Sequence, residues 1–229
     1  MKAIGVYQAF EYDIECCYPR IILDVLGYDF PQVRYYINDK EQRSKIIGLI
    51  FKIYPQLCKI VRQVTNDIID DYISQIGQEH VLLRKNDGFI STKQLQNTSC
   101  SLLDIRLKYE YKVLVINDNK YVGLTQNGTC IVKGLREQTV GLQAWWQDIL
   151  QNLDPYYVRS KVIEYFTTSN LDLFAIPVDK QYMFYIGDNN ERIVAKDYKH
   201  ILISPNRKYY FQIHILPLLR PLLLDTFQN

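Results

Sequence analysis

Asp13-Ile14-Glu15-Cys16-Cys17-Tyr18-Pro19-Arg20 is the stretch on which the reading of this chain turns. It closes a run rich in aliphatic and aromatic side chains (Ile4, Val6, Tyr7, Phe10, Tyr12), so residues 2 to 14 are expected to form a strand that ends on an acid. Residues 19 to 26 then read as a short helix after Tyr18-Pro19, closed by Gly27. A strand that delivers a carboxylate into a tight turn is the first half of a site; the second half must come from elsewhere in the chain.

Working outward, Tyr35 to Lys40 leads into a helical segment over Asp39 to Tyr54, with Asp39 as N-cap and Pro55 stopping or restarting the helix. Residues 55 to 76 carry the clearest period. Leu57, Ile60, Val61, Val64, Ile68 and Tyr72 recur at helical steps and Gly77 ends them, which predicts an amphipathic helix with one buried face. His80 to Arg84 and Phe89 to Thr92 flank Lys85-Asn86-Asp87-Gly88 as a hairpin, with Asn-Asp-Gly as its tight turn. Strands over Tyr111 to Ile116, Lys120 to Leu124 and Thr129 to Val132 follow, separated by Asn117-Asp118-Asn119 and Gln126-Asn127-Gly128. Residues 137 to 168 read as mostly helical with a break at Pro155. Met183 to Ile186 and Arg192 to Ala195 read as a further hairpin, and Tyr209 to Phe227 as helical despite Pro217 and Pro221. Strands and helices mix without regular βαβ alternation, so the expected class is α+β with an antiparallel sheet.

Composition narrows the field. The chain has 229 residues, 48% hydrophobic and 23% charged, enough for one large domain or two small ones. A net charge of +2 does not mark a strong nucleic-acid binder, although it allows a local basic groove. Cys16, Cys17, Cys58, Cys100 and Cys130 form neither a CxxC pair nor an even set, so reduced thiols in a cytoplasmic protein are expected. His80, His200 and His214 are far apart in sequence and near no cysteine pair, which argues against zinc. No apolar run approaches the roughly 18 residues of a membrane span, so no membrane partner is expected.

Two acids at strand ends allow a two-metal chemistry, whether nucleotidyl transfer or that of another metal-dependent enzyme such as a nuclease. Joining a nucleotide to a 3′ hydroxyl requires negative charge to be neutralised at both the attacking and the leaving oxygen, which two Mg²⁺ ions about 3.5–4 Å apart achieve with hard oxygen ligands. Asp13 at a strand end and Asp87 at a hairpin turn supply two carboxylates if their segments lie side by side. Taken alone, Asp87 is an ordinary turn residue, because Asp-Gly turns are common.

The Asp13 to Arg20 stretch resembles the first catalytic motif of family B DNA polymerases, an aspartate followed by a short turn and Tyr-Pro. Asn86-Asp87-Gly88 stands where that family places its other catalytic aspartate, in a motif usually reading Asp-Thr-Asp-Ser; only the second acid is kept here, as Asp87. The resemblance implies that Asp13 and Asp87, with Ile14, hold two Mg²⁺ ions, for which Mn²⁺ can substitute. It also implies that the backbone from Ile14 through Cys17 to Tyr18 cradles the triphosphate, and that Tyr18 stacks under the sugar and excludes a 2′ hydroxyl. Arg20 replaces the family's usual serine, and Cys16-Cys17 its common Ser-Leu. In the reduced fingers helix, Arg43 and Lys45 match the phosphate-gripping cations, with Lys40 and Lys52 as alternates; the family's Asn-Ser-x-Tyr-Gly signature is absent. Lys120-Tyr121 resembles the Lys-Lys-Arg-Tyr segment that touches primer-template DNA, Lys133-Gly134 the Lys-Gly run before the thumb, and Lys208-Tyr209-Tyr210 with Leu216-Pro217 a stretch of the thumb.

The fold implied is a polymerase palm over residues 1–34 and 57–136, reduced fingers over 35–56 and a thumb over 137–229. The implied function is that of a template-directed DNA polymerase catalytic subunit acting on dNTPs and primer-template DNA. With no exonuclease domain in this chain, a separately encoded polymerase or exonuclease subunit is an expected partner, and a large bacteriophage an expected setting. The alternative reading is an inactive, polymerase-derived subunit that binds nucleic acid or scaffolds a replication complex.

Overall fold

The structure, a computed structural model, describes residues 4–99, 102–135, 141–168, 175–177, 200–202 and 207–224. The class is the expected one: mixed α+β, with a six-stranded sheet whose order is β2-β3-β1-β4-β5-β6. The strands are β1 Ile4–Asp13, β2 Val81–Arg84, β3 Gly88–Ser91, β4 Arg106–Asn117, β5 Lys120–Thr125 and β6 Cys130–Lys133. β1 pairs with β3, β2 with β3, β4 with β5 and β5 with β6, all antiparallel. The chain divides into two compact units, Ala9–Glu110 on one hand and Met1–Gln8 with Tyr111–Asn229 on the other.

In the Ala9–Glu110 unit, α1 (Cys17–Arg20) runs on into a π-helical turn over Ile21–Val25, followed by α2 (Pro31–Tyr35), α3 (Lys40–Ile53) and α4 (Pro55–Ile76). Asp39 caps α3 as expected: its Oδ1 accepts hydrogen bonds from the backbone N–H groups of Glu41 and Gln42, each at 3.1 Å. Asp39→Ala is therefore expected to cost about 1 kcal/mol, read as a lower urea midpoint at unchanged slope. α2 was not expected, since Pro31-Gln32-Val33-Arg34-Tyr35 is too short to show a period.

Pro55 restarts the helix. α4 buries Leu57, Val61, Thr65, Ile68, Ile69, Tyr72, Ile73 and Ile76, whereas Ile60 is 43% exposed, so the buried face is narrower on that side than the apolar pattern implied. That face packs with Tyr12, Ile14, Ile21, Ile22 and Phe89 into one core. Phe10 and Tyr12 of β1, with Ile14 just beyond it, thus enter the core with α4, and the period of two sends Glu11 and Asp13 to the opposite face. The π-spaced turn at Ile21–Val25 keeps Ile21, Ile22 and Leu23 all buried.

β4 begins within the Ala9–Glu110 unit, because Arg106-Leu107-Lys108-Tyr109-Glu110 alternates charged and apolar side chains and so carries the strand period ahead of Tyr111, where the other unit resumes. α5 (Leu142–Gln151) and α6 (Pro155–Thr167) break at Pro155 as expected. The core of this unit gathers Val115, Val122, Trp146, Ile149, Tyr165, Ile215, Leu218 and Leu219. Ala175–Pro177 (β7) pairs with His200–Leu202 (β8), a pairing with no sequence signal. The hairpin expected around Gly187-Asp188-Asn189-Asn190 lies outside the described residues. The C-terminal helical run is α7 (Arg207–Tyr210), a π-helical turn over Phe211–Ile215, and α8 (Leu216–Leu224) with Pro221 inside it.

Candidate active site

β1 and β3 pair with Asp13 opposite Gly88, Tyr12 opposite Phe89 and Glu11 opposite Ile90. Just past this register the Ile14 N–H donates to the Asp87 carbonyl oxygen at 2.8 Å. The two acids expected to cooperate therefore sit at the ends of neighbouring strands. Their closeness depends on Gly88. A Cβ there would lie 2.0 Å from the Tyr12 carbonyl oxygen and 3.1 Å from the Asp13 Cα, so only glycine lets the strands approach this far.

This corrects the reason for the Asp-Gly pair. The hairpin closes through the Lys85 N–H to the Gly88 carbonyl at 2.9 Å, and among the described non-glycine residues only Cys16 and Asp118 have positive φ. Asn86 and Asp87 thus do not form the mirror-image turn that Asn-Gly and Asp-Gly favour. The glycine serves strand approach.

Electrostatics link the acids. Burial, followed by the charge of Asp13, pushes the Asp87 carboxyl above its ordinary value. Lys108 Nζ lies 3.1 Å from Asp13 Oδ2, and Lys85 forms an ion pair with Glu11, a carboxylate whose side chain is only 2% exposed. Burial acts to lower Lys108, but the hydrogen bond and charge of Asp13, with Glu11 and Asp87, outweigh it and hold the ammonium above the usual lysine value. Lys85 goes the other way: burial lowers it against the pull of Glu11. Arg106 reaches Glu15 at 3.0 Å, so alternate cations of β4 meet successive acids at the end of β1 and in the turn beyond it.

The turn after Asp13 is built by Cys16, held in the left-handed region at φ 51° and ψ 38°. That conformation is uncommon for a residue with a Cβ. Arg43 braces it: its guanidinium donates to the Ile37 carbonyl oxygen and approaches the Cys16 sulfur at 3.0 Å. Cys17 is buried, with Sγ 3.8 Å from the Thr65 hydroxyl; burial, with Asp87 and Asp13 adding, pushes its thiol up to about 12. Tyr18 stacks at a tilt on Phe51 with ring centroids 5.8 Å apart. Its hydroxyl is raised first by burial and then by the charges of Cys17 and Asp87, with Arg62 opposing.

The expected site residues thus separate into groups. Asp13, Ile14, Cys17, Tyr18, Arg43 and Asp87 all belong to the Ala9–Glu110 unit and gather around the turn that follows β1. The Ile14 N–H is committed to Asp87 and cannot cradle a phosphate, which leaves its carbonyl as the group for a ligand. Lys45 sits on an exposed stretch of α3 in an ion pair with Glu41 at 2.6 Å. Lys120 and Lys133 belong to the other unit, where β5 and β6 place Tyr121 opposite Lys133 and a Cβ on Gly134 would lie 2.7 Å from the Asn119 carbonyl. Lys120 Nζ donates to the Ile213 carbonyl at 3.1 Å. Tyr121 is a core side chain, 3% exposed and edge-on to Tyr111, so its ring is not a surface contact.

Lys108, Lys85 and Glu11 escaped the sequence reading. The alternation from Arg106 to Lys112 carried the signal for Lys108, and the step of two from Asp13 carried it for Glu11.

Among the described residues no group of three or more His, Cys, Asp or Glu is placed to hold a metal. Two carboxylates and a backbone carbonyl are nevertheless hard oxygen donors suited to Mg²⁺. Burial and then the charge of Asp13 raise Asp87, and the repulsion between the two acids is what a divalent cation would relieve. The donor set fits.

No family model matches the sequence, and no curated protein matches it. Among solved structures, the chain is similar to the family B DNA polymerase from the hyperthermophilic archaeon Pyrobaculum calidifontis, with a TM-score of 0.45 and 13% sequence identity. The likeness covers 96% of this chain and 45% of that chain, so this chain spans less than half of that polymerase's length.

Proposed function

We propose that the chain is the palm-and-thumb part of a template-directed DNA polymerase, joining dNTPs to a primer 3′ hydroxyl with two divalent cations. The observation that carries this reading is the convergence of Asp13 and Asp87 at adjacent strand ends, coupled through the Ile14–Asp87 hydrogen bond and through their charges. The sequence motifs around the two acids agree with it. When bound, Mg²⁺ would activate the attacking oxygen and neutralise charge on the leaving phosphates.

The chain's own residues have distinct parts. Asp13, Asp87 and the Ile14 carbonyl hold the cations. Tyr18, fixed against Phe51, presents its ring beside the sugar and leaves no room for a 2′ hydroxyl. Arg43 keeps Cys16 in its left-handed turn, and so orients the backbone from Glu15 to Tyr18 toward the phosphates. Lys120 and Lys133 contact backbone phosphates of the primer-template, which positions DNA without reading its sequence. Residues 35–56 act as reduced fingers and 137–229 as the thumb, with palm in 1–34 and 57–136; proofreading comes from a separate subunit.

The test is primer extension by the purified chain, with Mg²⁺ and the template-matched dNTP, alone and with proteins encoded beside it. Template-directed, Mg²⁺-dependent addition to the primer is expected. Tight primer-template binding without any addition, with partners and Mg²⁺ present, contradicts the proposal.

A further inference from the structure

Lys108 is the group at this site with no place in the scheme above. It stands on β4, two residues beyond Arg106, and its ammonium lies 3.1 Å from Asp13 Oδ2 within the fields of Glu11 and Asp87. Three carboxylates here face two ammonium groups, Lys85 on Glu11 and Lys108 on Asp13. One formal negative charge is left over, which is little for a centre meant to attract two divalent ions. Lys85 pairs with Glu11, whereas Lys108 pairs with Asp13, a carboxylate assigned to the metals. An ammonium on one Asp13 oxygen occupies a coordination position and repels a cation approaching that side.

We propose that Lys108 stands in for one of the two divalent cations, so that the nucleotide-free chain retains a single ion at Asp13 and Asp87. This rests on the polymerase reading of the site. Lys108 acts through Asp13 and is a positioning residue; the second ion enters with the triphosphate, whose oxygens supply the ligands that the protein lacks. Removing the ammonium leaves two formal negative charges and an open Asp13 oxygen, so the site then takes two ions without nucleotide.

The experiment titrates Mn²⁺ into the nucleotide-free, DNA-free full chain and counts bound ions by electron paramagnetic resonance. Wild type, Lys108→Met, Lys108→Gln and Lys108→Arg are compared, each checked for folding by circular dichroism. One ion is expected in wild type and in Lys108→Arg. Two are expected in Lys108→Met and Lys108→Gln, the first bound roughly tenfold more tightly or better. Either neutral variant suffices if the other fails to fold. Equal numbers and affinities in wild type and the neutral variants overturn the inference about Lys108 while leaving the metal site standing. Two ions in wild type do the same. Failure of every form to bind Mn²⁺ overturns both the inference and the polymerase reading.

Discussion

Gly88→Ala is expected to lower stability by about 2–3 kcal/mol, and the unfolding temperature by roughly 5–10 °C. The added Cβ would meet backbone, at 2.0 Å from the Tyr12 carbonyl oxygen, 3.0 Å from its carbon and 3.1 Å from the Asp13 Cα. No side-chain rotation relieves such a contact, so β1 and β3 must part where Asp13 faces Gly88. The change therefore reaches the site as well as the fold, because the Ile14–Asp87 hydrogen bond lies immediately beyond. Gly48 gives the control. It sits on the exposed side of α3, where a Cβ meets nothing within 4 Å. Gly48→Ala is expected to stabilise by up to about 1 kcal/mol through helix propensity. Thermal unfolding followed by circular dichroism distinguishes the two, and equal transition temperatures would contradict the strand approach described.

Asp87→Asn is expected to move activity and stability in opposite directions. The Asp87 carboxyl is raised in the folded chain, by burial first and by Asp13 second. A raised carboxyl means that the folded state holds the proton more tightly than the unfolded state does. The associated stability is complete below the ordinary value of 3.8 and is lost as pH rises through the higher folded value. At neutral pH the ionised group is a net cost to the metal-free protein, and asparagine removes it. Metal-free Asp87→Asn should therefore unfold at a higher temperature than wild type at pH 7, with the gap closing as pH falls toward 4. Incorporation with Mg²⁺ should meanwhile fall by about a hundred- to a thousandfold, as expected when a hard ligand is lost from a centre contributing several kcal/mol. A lower unfolding temperature at pH 7, or unchanged incorporation, would contradict this account of Asp87.

Much of this was legible in the sequence for reasons that can be named. α4 announces itself because the helical period runs through Leu57, Val61, Ile68 and Tyr72, and Pro55 and Gly77 mark its ends. β1 and the β2–β3 hairpin are legible from their apolar runs and turn chemistry. Which acids to join was readable only through the motif around Asp13, since neither strand states its neighbour. The role of Gly88 was hidden, because a turn glycine and a close-approach glycine look alike until the partner strand is placed. Lys108 was hidden for the same reason: its partner is 95 residues away in sequence and meets it only across the sheet. The burial of Tyr121 was hidden too, because the same residue type suits a DNA contact or a core ring beside Tyr111.

The central claim is that Asp13 and Asp87 act together on shared cations, and single-turnover incorporation by Asp13→Asn, Asp87→Asn and the double variant tests it most directly. Groups that work as one unit lose nearly everything at the first substitution, so the double variant should be about as slow as either single one. Losses that multiply, or a single variant that incorporates as fast as wild type, would contradict the claim.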